Sequence, residues 1–216
     1  MAKAKFIPAA RLRFLTPIYD WILSTFMKER EIKNALIAFS QLKSGDRILD
    51  FGCGTGTLLL MIESNMKDGE IHGIDIDPIV LEVARLKLLK SKGHALLSEY
   101  DGRTLPYADG YFDKVVSSLV FHHLSADQKK PALLEMNRVL KDGGEMLILD
   151  FGIQRSLWAR IVTSISRWIE PIDDNLQGLI PKYMIETFFD NVREKASFNT
   201  CFGTLAIYGG NKPKQY

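Results

Sequence analysis

The chain has 216 residues, 46% of them hydrophobic, which suits one domain with a sizeable core. A formal net charge of +2 is too small to argue for a nucleic-acid partner, and no apolar run approaches the roughly 18 residues of a membrane span. Two cysteines, Cys53 and Cys201, lie far apart and belong to no ligand-spaced set, which argues against a structural disulfide or a zinc site and for a reducing cytoplasm.

The first eight residues are basic but hold no continuous apolar segment of signal-peptide length. Thr16-Pro17 reads as a helix start, after which Ile18, Trp21, Ile22 and Phe26 recur on one helical face. From Met1 to Lys33 there are seven Lys and Arg against three Asp and Glu, so this segment is more basic than the whole. Three uses fit it: a lid over a pocket, a surface that touches acidic lipid, or a basic-faced helix docked on the core. Ile32, Leu36 and Phe39 continue a helical stripe up to a turn at 43–46.

Arg47-Ile-Leu-Asp-Phe-Gly-Cys-Gly-Thr-Gly-Thr57 follows, an apolar strand broken by Gly52, Gly54 and Gly56 at alternate positions. Strand, tight turn and helix in that order bring bare main chain and the unpaired N–H groups of a helix start to one place, a cradle for a ligand. A dinucleotide fingerprint would need G-x-G-x-x-G. Here Thr57 stands at the third glycine, so the match fails. Asp50 closes the strand, where it accepts from a cationic or hydroxyl-bearing ligand.

A second strand over 70–75 ends in Asp75, 19 residues past Gly56, near the offset at which a carboxylate meets a ribose diol in doubly wound folds. Asp77-Pro78 suits an N-cap and first helical residue, and the helix over 78–90 turns Val80, Leu81, Ala84, Leu88 and Leu89 inward. A third strand near 95–100 delivers Asp101-Gly102. A loop over 105–113 leads to a fourth strand ending at Ser117-Ser118, and His122-His123-Leu124 follow at its carboxyl edge, where ligands lie in open α/β sheets. Adjacent histidines cannot both point the same way, so at most one is expected to face the pocket, as a proton acceptor or substrate contact; the alternative is that they pack and shape the loop. They lack a third metal ligand at usable spacing.

Ser125 and Gln128 form a potential capping box, whereas Pro131 argues for a helix start near Lys130; the sequence leaves this boundary open. Leu133, Leu134, Met136 and Leu140 are expected to face the sheet. A nearly all-apolar strand over 145–149 ends in Asp150. A broad helical stripe over 155–169 reads either as a wall over a substrate pocket or as an interfacial helix in peripheral contact with a membrane. A helix over 181–189 and an antiparallel pair over 198–208, interrupted near Cys201, close the chain.

Asp50-x-Gly52-x-Gly54-x-Gly56 resembles the first motif of the class I S-adenosylmethionine (SAM)-dependent methyltransferases. Phe-Asp113, His-His-Leu124, Arg-Val-Leu140 and Gly-Gly144 in succession resemble the broad branch that includes the ubiquinone/menaquinone C-methyltransferases. The resemblance runs from about Tyr19 to Asp150 and thins beyond. It implies an α/β fold: a Rossmann-like, doubly wound, seven-stranded, mostly parallel sheet with an antiparallel last strand and helices on both faces. It further implies one domain over 1–216, divided into a helical lid (1–44), a SAM-binding core (45–150), variable substrate-side helices (151–190) and closing strands (191–216).

By the same resemblance the turn of Gly52, Cys53, Gly54 and Gly56 holds the amino-acid end of SAM, and Asp50 contacts it directly or through water. Asp75 takes the ribose, Ile76 lies beside the adenine, Asp101 and Gly102 bond the adenine edge, and main-chain groups at Ser117 or Ser118 meet the amino end. Tyr19-Asp20 resembles the pair that helps close the site. Candidate bases for an acceptor that must lose a proton are His122, His123, Asp150 and Tyr19. Asp142 stands where the family usually has proline, and Ser118-Leu-Val-Phe121 replaces the Asn-Pro-Pro-Tyr of base-amine and glutamine N-methylation.

The implied activity is methyl transfer to a small, partly lipophilic acceptor, a quinol, phenol, thiol or amine, with S-adenosylhomocysteine as product and no metal. A cytoplasmic monomer or homodimer is expected. Two rivals are a SAM-binding regulatory or partner subunit without turnover, and a nicotinamide oxidoreductase, which the missing third glycine disfavours.

Overall fold

A computed structural model of the chain describes residues 29–66, 68–155, 157, 163, 173–200 and 202–214. In chain order these form α1 (Glu29–Ser40), β1 (Arg47–Phe51), α2 (Thr57–Asn65), β2 (Glu70–Asp75), α3 (Pro78–Ser91), β3 (Leu96–Glu99) and β4 (Phe112–Ser118). A 3-10 turn (Phe121–His123) leads into α4 (Ala126–Val139), β5 (Leu140–Phe151), the single-turn α5 (Asp173–Leu176), α6 (Ile180–Glu186), β6 (Asp190–Thr200) and β7 (Gly203–Asn211). The predicted helices at 16–26 and 155–169, Tyr19 and Cys201 lie outside the described residues.

One seven-stranded sheet has the order β3-β2-β1-β4-β5-β7-β6, and only β7 runs against its neighbours. The order reverses between β1 and β4, the crevice where open α/β sheets bind ligands. Strand alternation sorts the core to the two faces. Leu49, Phe51, Val115, Met146 and Ile148 pack with α4 and α6, while Ile48, Val116, Leu147 and Leu149 pack with α1 and α2. Asp50 therefore points to the α1–α2 face and Asp150 to the α4–α6 face. Among the described residues no helix is long and apolar enough to cross a membrane.

Several elements differ from the sequence expectation for identifiable reasons. Strand β5 starts at Leu140 and not at 145, because the Gly143-Gly144 turn is itself paired: Gly143 N donates to Lys212 O and Lys212 N to Gly144 O, both at 2.9 Å. Helix α4 starts at Ala126, where Ser125 N donates to Gln128 Oε1 at 3.0 Å, and it carries Pro131 near its first turn. Leu89 is 75% exposed because Leu88 is buried and adjacent helical residues lie about 100° apart. Leu134 faces outward beside buried Leu133 for the same reason. The closing pair is longer than 198–208, running from Asp190 to Asn211.

Candidate functional site

The turn after β1 is built by hydrogen bonds across to β2. Gly52 N and Cys53 N both donate to Ile74 O, at 2.8 and 3.0 Å, and Gly56 N donates to Cys53 O at 2.9 Å. Gly52, Gly54 and Gly56 have φ of 73, 51 and 76°, in the left-handed region that favours glycine. A Cβ on Gly52 would stand 2.4 Å from Val120 Cγ2, so the loop after β4 closes directly against the turn. Gly56 is the N-cap of α2 and offers no side chain to its first N–H groups, which leaves them for an anion.

Two carboxylates flank this turn in different states. Asp75 Oδ2 accepts from Gly54 N at 2.8 Å and Oδ1 from Asp77 N at 3.0 Å, so Asp75 braces the turn while its remaining lone pairs suit a diol. Burial pushes its pKa up, and these N–H groups hold it back. Asp77 is the cap of α3, accepting from Ile79 N at 2.8 Å. Asp50 is 1% exposed, and neither oxygen has a hydrogen-bond partner. Burial drives its pKa up to about 7 against the attraction of Lys33, with Asp75 adding to the rise. Lys33, from α1, is itself buried and ion-paired with Glu29.

Ser118 Oγ is also buried without a partner. Asp50 pairs with Val116 across β1 and β4, so Asp50 and Ser118 project from the same face near the carboxyl edge. Orphaned polar atoms there fit a ligand with a cationic or hydrogen-bonding end. Ser117 points the other way and spends its hydroxyl on Phe51 O at 2.9 Å. Ile76 lies against Gly102, whose Cβ, were there one, would sit 3.3 Å from Ile76 Cδ1. Asp101 is exposed and caps its own turn, accepting from Arg103 N and Thr104 N at 2.8 and 3.1 Å. Its pKa is lowered by these N–H groups.

On the opposite face Asp150, with no exposed surface, accepts from His122 Nδ1 at 2.9 Å, Phe151 N at 2.7 Å and Asn175 Nδ2 at 2.8 Å. Burial raises its pKa, but the His122 charge and these hydrogen bonds outweigh it and hold the group below the usual carboxylate range. An ionised carboxylate only accepts, so His122 carries its proton on Nδ1 and its basic nitrogen is Nε2. The two histidine rings lie together, centroids 3.9 Å apart, because a 3-10 turn and not extended chain carries them. Burial, then His122, depress the His123 pKa to about 3, which keeps it neutral. Asn175 and the buried Lys129, which bonds Asp174 at 3.3 Å, belong to this network without any motif to mark them. Among the described residues no cluster fits a metal ion.

Residues 48–144 match a family described as a methyltransferase domain. The chain is 34% identical over 139 residues to a demethylmenaquinone methyltransferase of Thermus thermophilus, covering 63% of this chain and 62% of that one. It is 34% identical over 149 residues to a ubiquinone/menaquinone biosynthesis C-methyltransferase of Xylella fastidiosa, covering 67% and 54%. A Pseudomonas aeruginosa protein of the same description is 29% identical over 205 residues, with 84% and 78% covered. The chain thus spans less than two thirds of the length of the first two relatives. Among solved structures, the YcgJ protein of Bacillus subtilis superposes with a TM-score of 0.70 at 16% identity, over 86% of this chain and all of that one. Phosphoethanolamine N-methyltransferase 2 of Haemonchus contortus, in complex with SAM, gives 0.70 at 17%, over 85% and 53%. These two likenesses speak for the fold. Taken with the glycine turn, the matched stretch leads to one assignment: residues 48–144 are a methyltransferase domain.

Proposed function

We propose that the protein transfers a methyl group from SAM to a small, partly lipophilic acceptor, a quinol, phenol, thiol or amine. The observation that carries this reading is the orphaned pair Asp50 and Ser118 beside a turn that admits only glycine at position 52. SAM supplies an activated methyl on a sulfonium, so the protein's work is mainly alignment, which in favourable cases is worth roughly 7–11 kcal/mol.

Asp50 receives the cationic end of the cofactor and is held ionised by it. Asp75 takes the ribose hydroxyls and, through Gly54 N, keeps the turn shaped for the methionine end. Ile76, Asp101 and Gly102 border the adenine, and the helix start at Gly56 faces the carboxylate. His122, oriented by Asp150, accepts the proton of an acceptor that must ionise, a contribution of about 10²–10⁴-fold. His123 stays neutral and shapes the turn. The names of the relatives, demethylmenaquinone and ubiquinone/menaquinone methyltransferases, support an aromatic, lipophilic acceptor for this chain. Asp150 and the α4–α6 face supply the acceptor side of the sheet.

Incubation with SAM and a panel of quinols, phenols, thiols and amines, with S-adenosylhomocysteine read by mass spectrometry, tests the proposal. Product that depends on one acceptor class supports it. SAM binding with no turnover on any class favours the regulatory-subunit reading instead.

A further inference from the structure

The hydrogen bonds around Asp150 reach a residue that no spacing in the sequence singles out. Asn175, in α5, has no exposed surface, and its Nδ2 donates to Asp150 Oδ1 at 2.8 Å. The carboxylate can only accept, which fixes the amide with its Nδ2 toward Asp150 and its oxygen away. That oxygen, Oδ1, is buried without a hydrogen-bond partner. Leaving a buried acceptor unmet costs about 1–3 kcal/mol, so an apolar side chain of similar volume would serve packing better. The cost implies that the amide is kept for what its other end does.

The turn that carries Asn175 is anchored from two helices. Its neighbour Asp174 takes Lys129 Nζ of α4 at 3.3 Å and the Tyr183 hydroxyl of α6 at 3.1 Å. Lys129 is 1% exposed and the Asp174 side chain 22%, so this ion pair is partly shielded from water. Gly178 N to Asn175 O, at 2.9 Å, and Leu179 N to Asp174 O, at 3.0 Å, close the turn behind. Asp150 otherwise receives N–H groups from His122 and from its own neighbour Phe151. The bond from Asn175 thus ties the carboxylate to an element held from both α4 and α6.

We infer that Asn175 is a positioning residue for the His122–Asp150 pair. It pins the carboxylate so that Oδ1 faces His122 Nδ1, and thereby fixes which imidazole nitrogen is basic. The inference deepens the proton-acceptor role given to His122 above and rests on it. Among the described residues, the charged and titratable groups around the pair include His123 of the same turn, Tyr208 of β7, on which the Asp150 charge acts, and Asp174 of α5 with its partners Lys129 and Tyr183.

The test reads His122 directly, by long-range proton–nitrogen NMR on the full chain labelled in histidine and asparagine, and needs no acceptor. In the wild type, neutral His122 is expected protonated on Nδ1, with the Asn175 side-chain amide resonances shifting as His122 titrates. In Asn175→Leu the other tautomer becomes populated and the His122 midpoint moves by at least about half a pH unit, a threefold change in proton affinity. Asn175→Ser, which keeps a hydroxyl donor, restores part of the wild-type tautomer. A folded Asn175→Leu with unchanged tautomer and midpoint would overturn the inference. So would wild-type amide resonances that ignore the His122 titration, a result that holds even where the variants fail to fold. SAM calorimetry on the same samples separates the two levels: absent SAM binding by the wild type defeats the methyltransferase reading, while the tautomer result bears on Asn175 alone.

Discussion

Gly54 donates its main-chain N–H to Asp75 Oδ2 at 2.8 Å, so the residue assigned to the ribose also holds the glycine turn in shape. Asp75→Ala removes both functions at once. SAM affinity measured by calorimetry should fall about ten- to a hundredfold, the worth of one or two hydrogen bonds to a charged group. Asp75→Asn, which keeps one acceptor oxygen, should lie between. Equal affinity for wild type and Asp75→Ala would remove the ribose assignment.

Asp50 links stability to pH in a direction opposite to most carboxylates. Its folded pKa of about 7 lies above its ordinary value of 3.8, so the native state holds this proton more tightly than the unfolded chain. Its contribution to stability is complete below the ordinary value and is lost as pH rises through 7. Asp50→Asn should therefore be more stable than wild type at pH 8, by up to roughly 4 kcal/mol and so with a higher melting point, and show little advantage near pH 4. The same variant should bind SAM more weakly. A lower melting point for Asp50→Asn at pH 8 would contradict the buried, unpaired state of this group.

Gly52→Ala sets a Cβ 2.4 Å from Val120 Cγ2 at a φ of 73°. Strain and overpacking together should cost about 2–4 kcal/mol in chemical denaturation. Adding Val120→Ala relieves the clash and not the backbone strain, so it should recover part of the loss. Full recovery would show that the left-handed backbone carries no cost.

His122 and His123 should separate cleanly in kinetics. With an acceptor that must lose a proton, His122→Ala lowers kcat by about 10²-fold or more with SAM affinity kept, because the basic nitrogen is lost. His123→Phe, which keeps a neutral ring at that place, should leave kcat within about threefold. The reverse ranking would assign the proton to the other ring.

Much of the core was legible because local chemistry marks it. The alternate glycines, the acids at the ends of β1, β2 and β5, and Asp77-Pro78 are short-range signals whose geometry is set within a few residues. Contacts between distant segments left no such mark. Lys33 reads as one cation in a basic stretch, yet folding sets its charge against Asp50. Asn175 reads as a loop residue, and its partner Asp150 lies 25 positions back. The early start of β5 depends on Lys212, far along the chain, so the Gly143-Gly144 turn looked like a boundary. The pairing of the two histidine rings follows from a single 3-10 turn, which no residue pattern marks in the sequence.

Titration calorimetry of the folded chain with SAM, S-adenosylhomocysteine and NADH probes the cofactor assignment without knowledge of the acceptor. The expected outcome is one site for each of the two sulfur nucleosides, none for NADH, and a heat that varies with buffer near pH 7 as Asp50 gives up its proton. Binding of NADH, or no heat with either sulfur nucleoside, would contradict the assignment of the turn, its flanking carboxylates and the roles built on them.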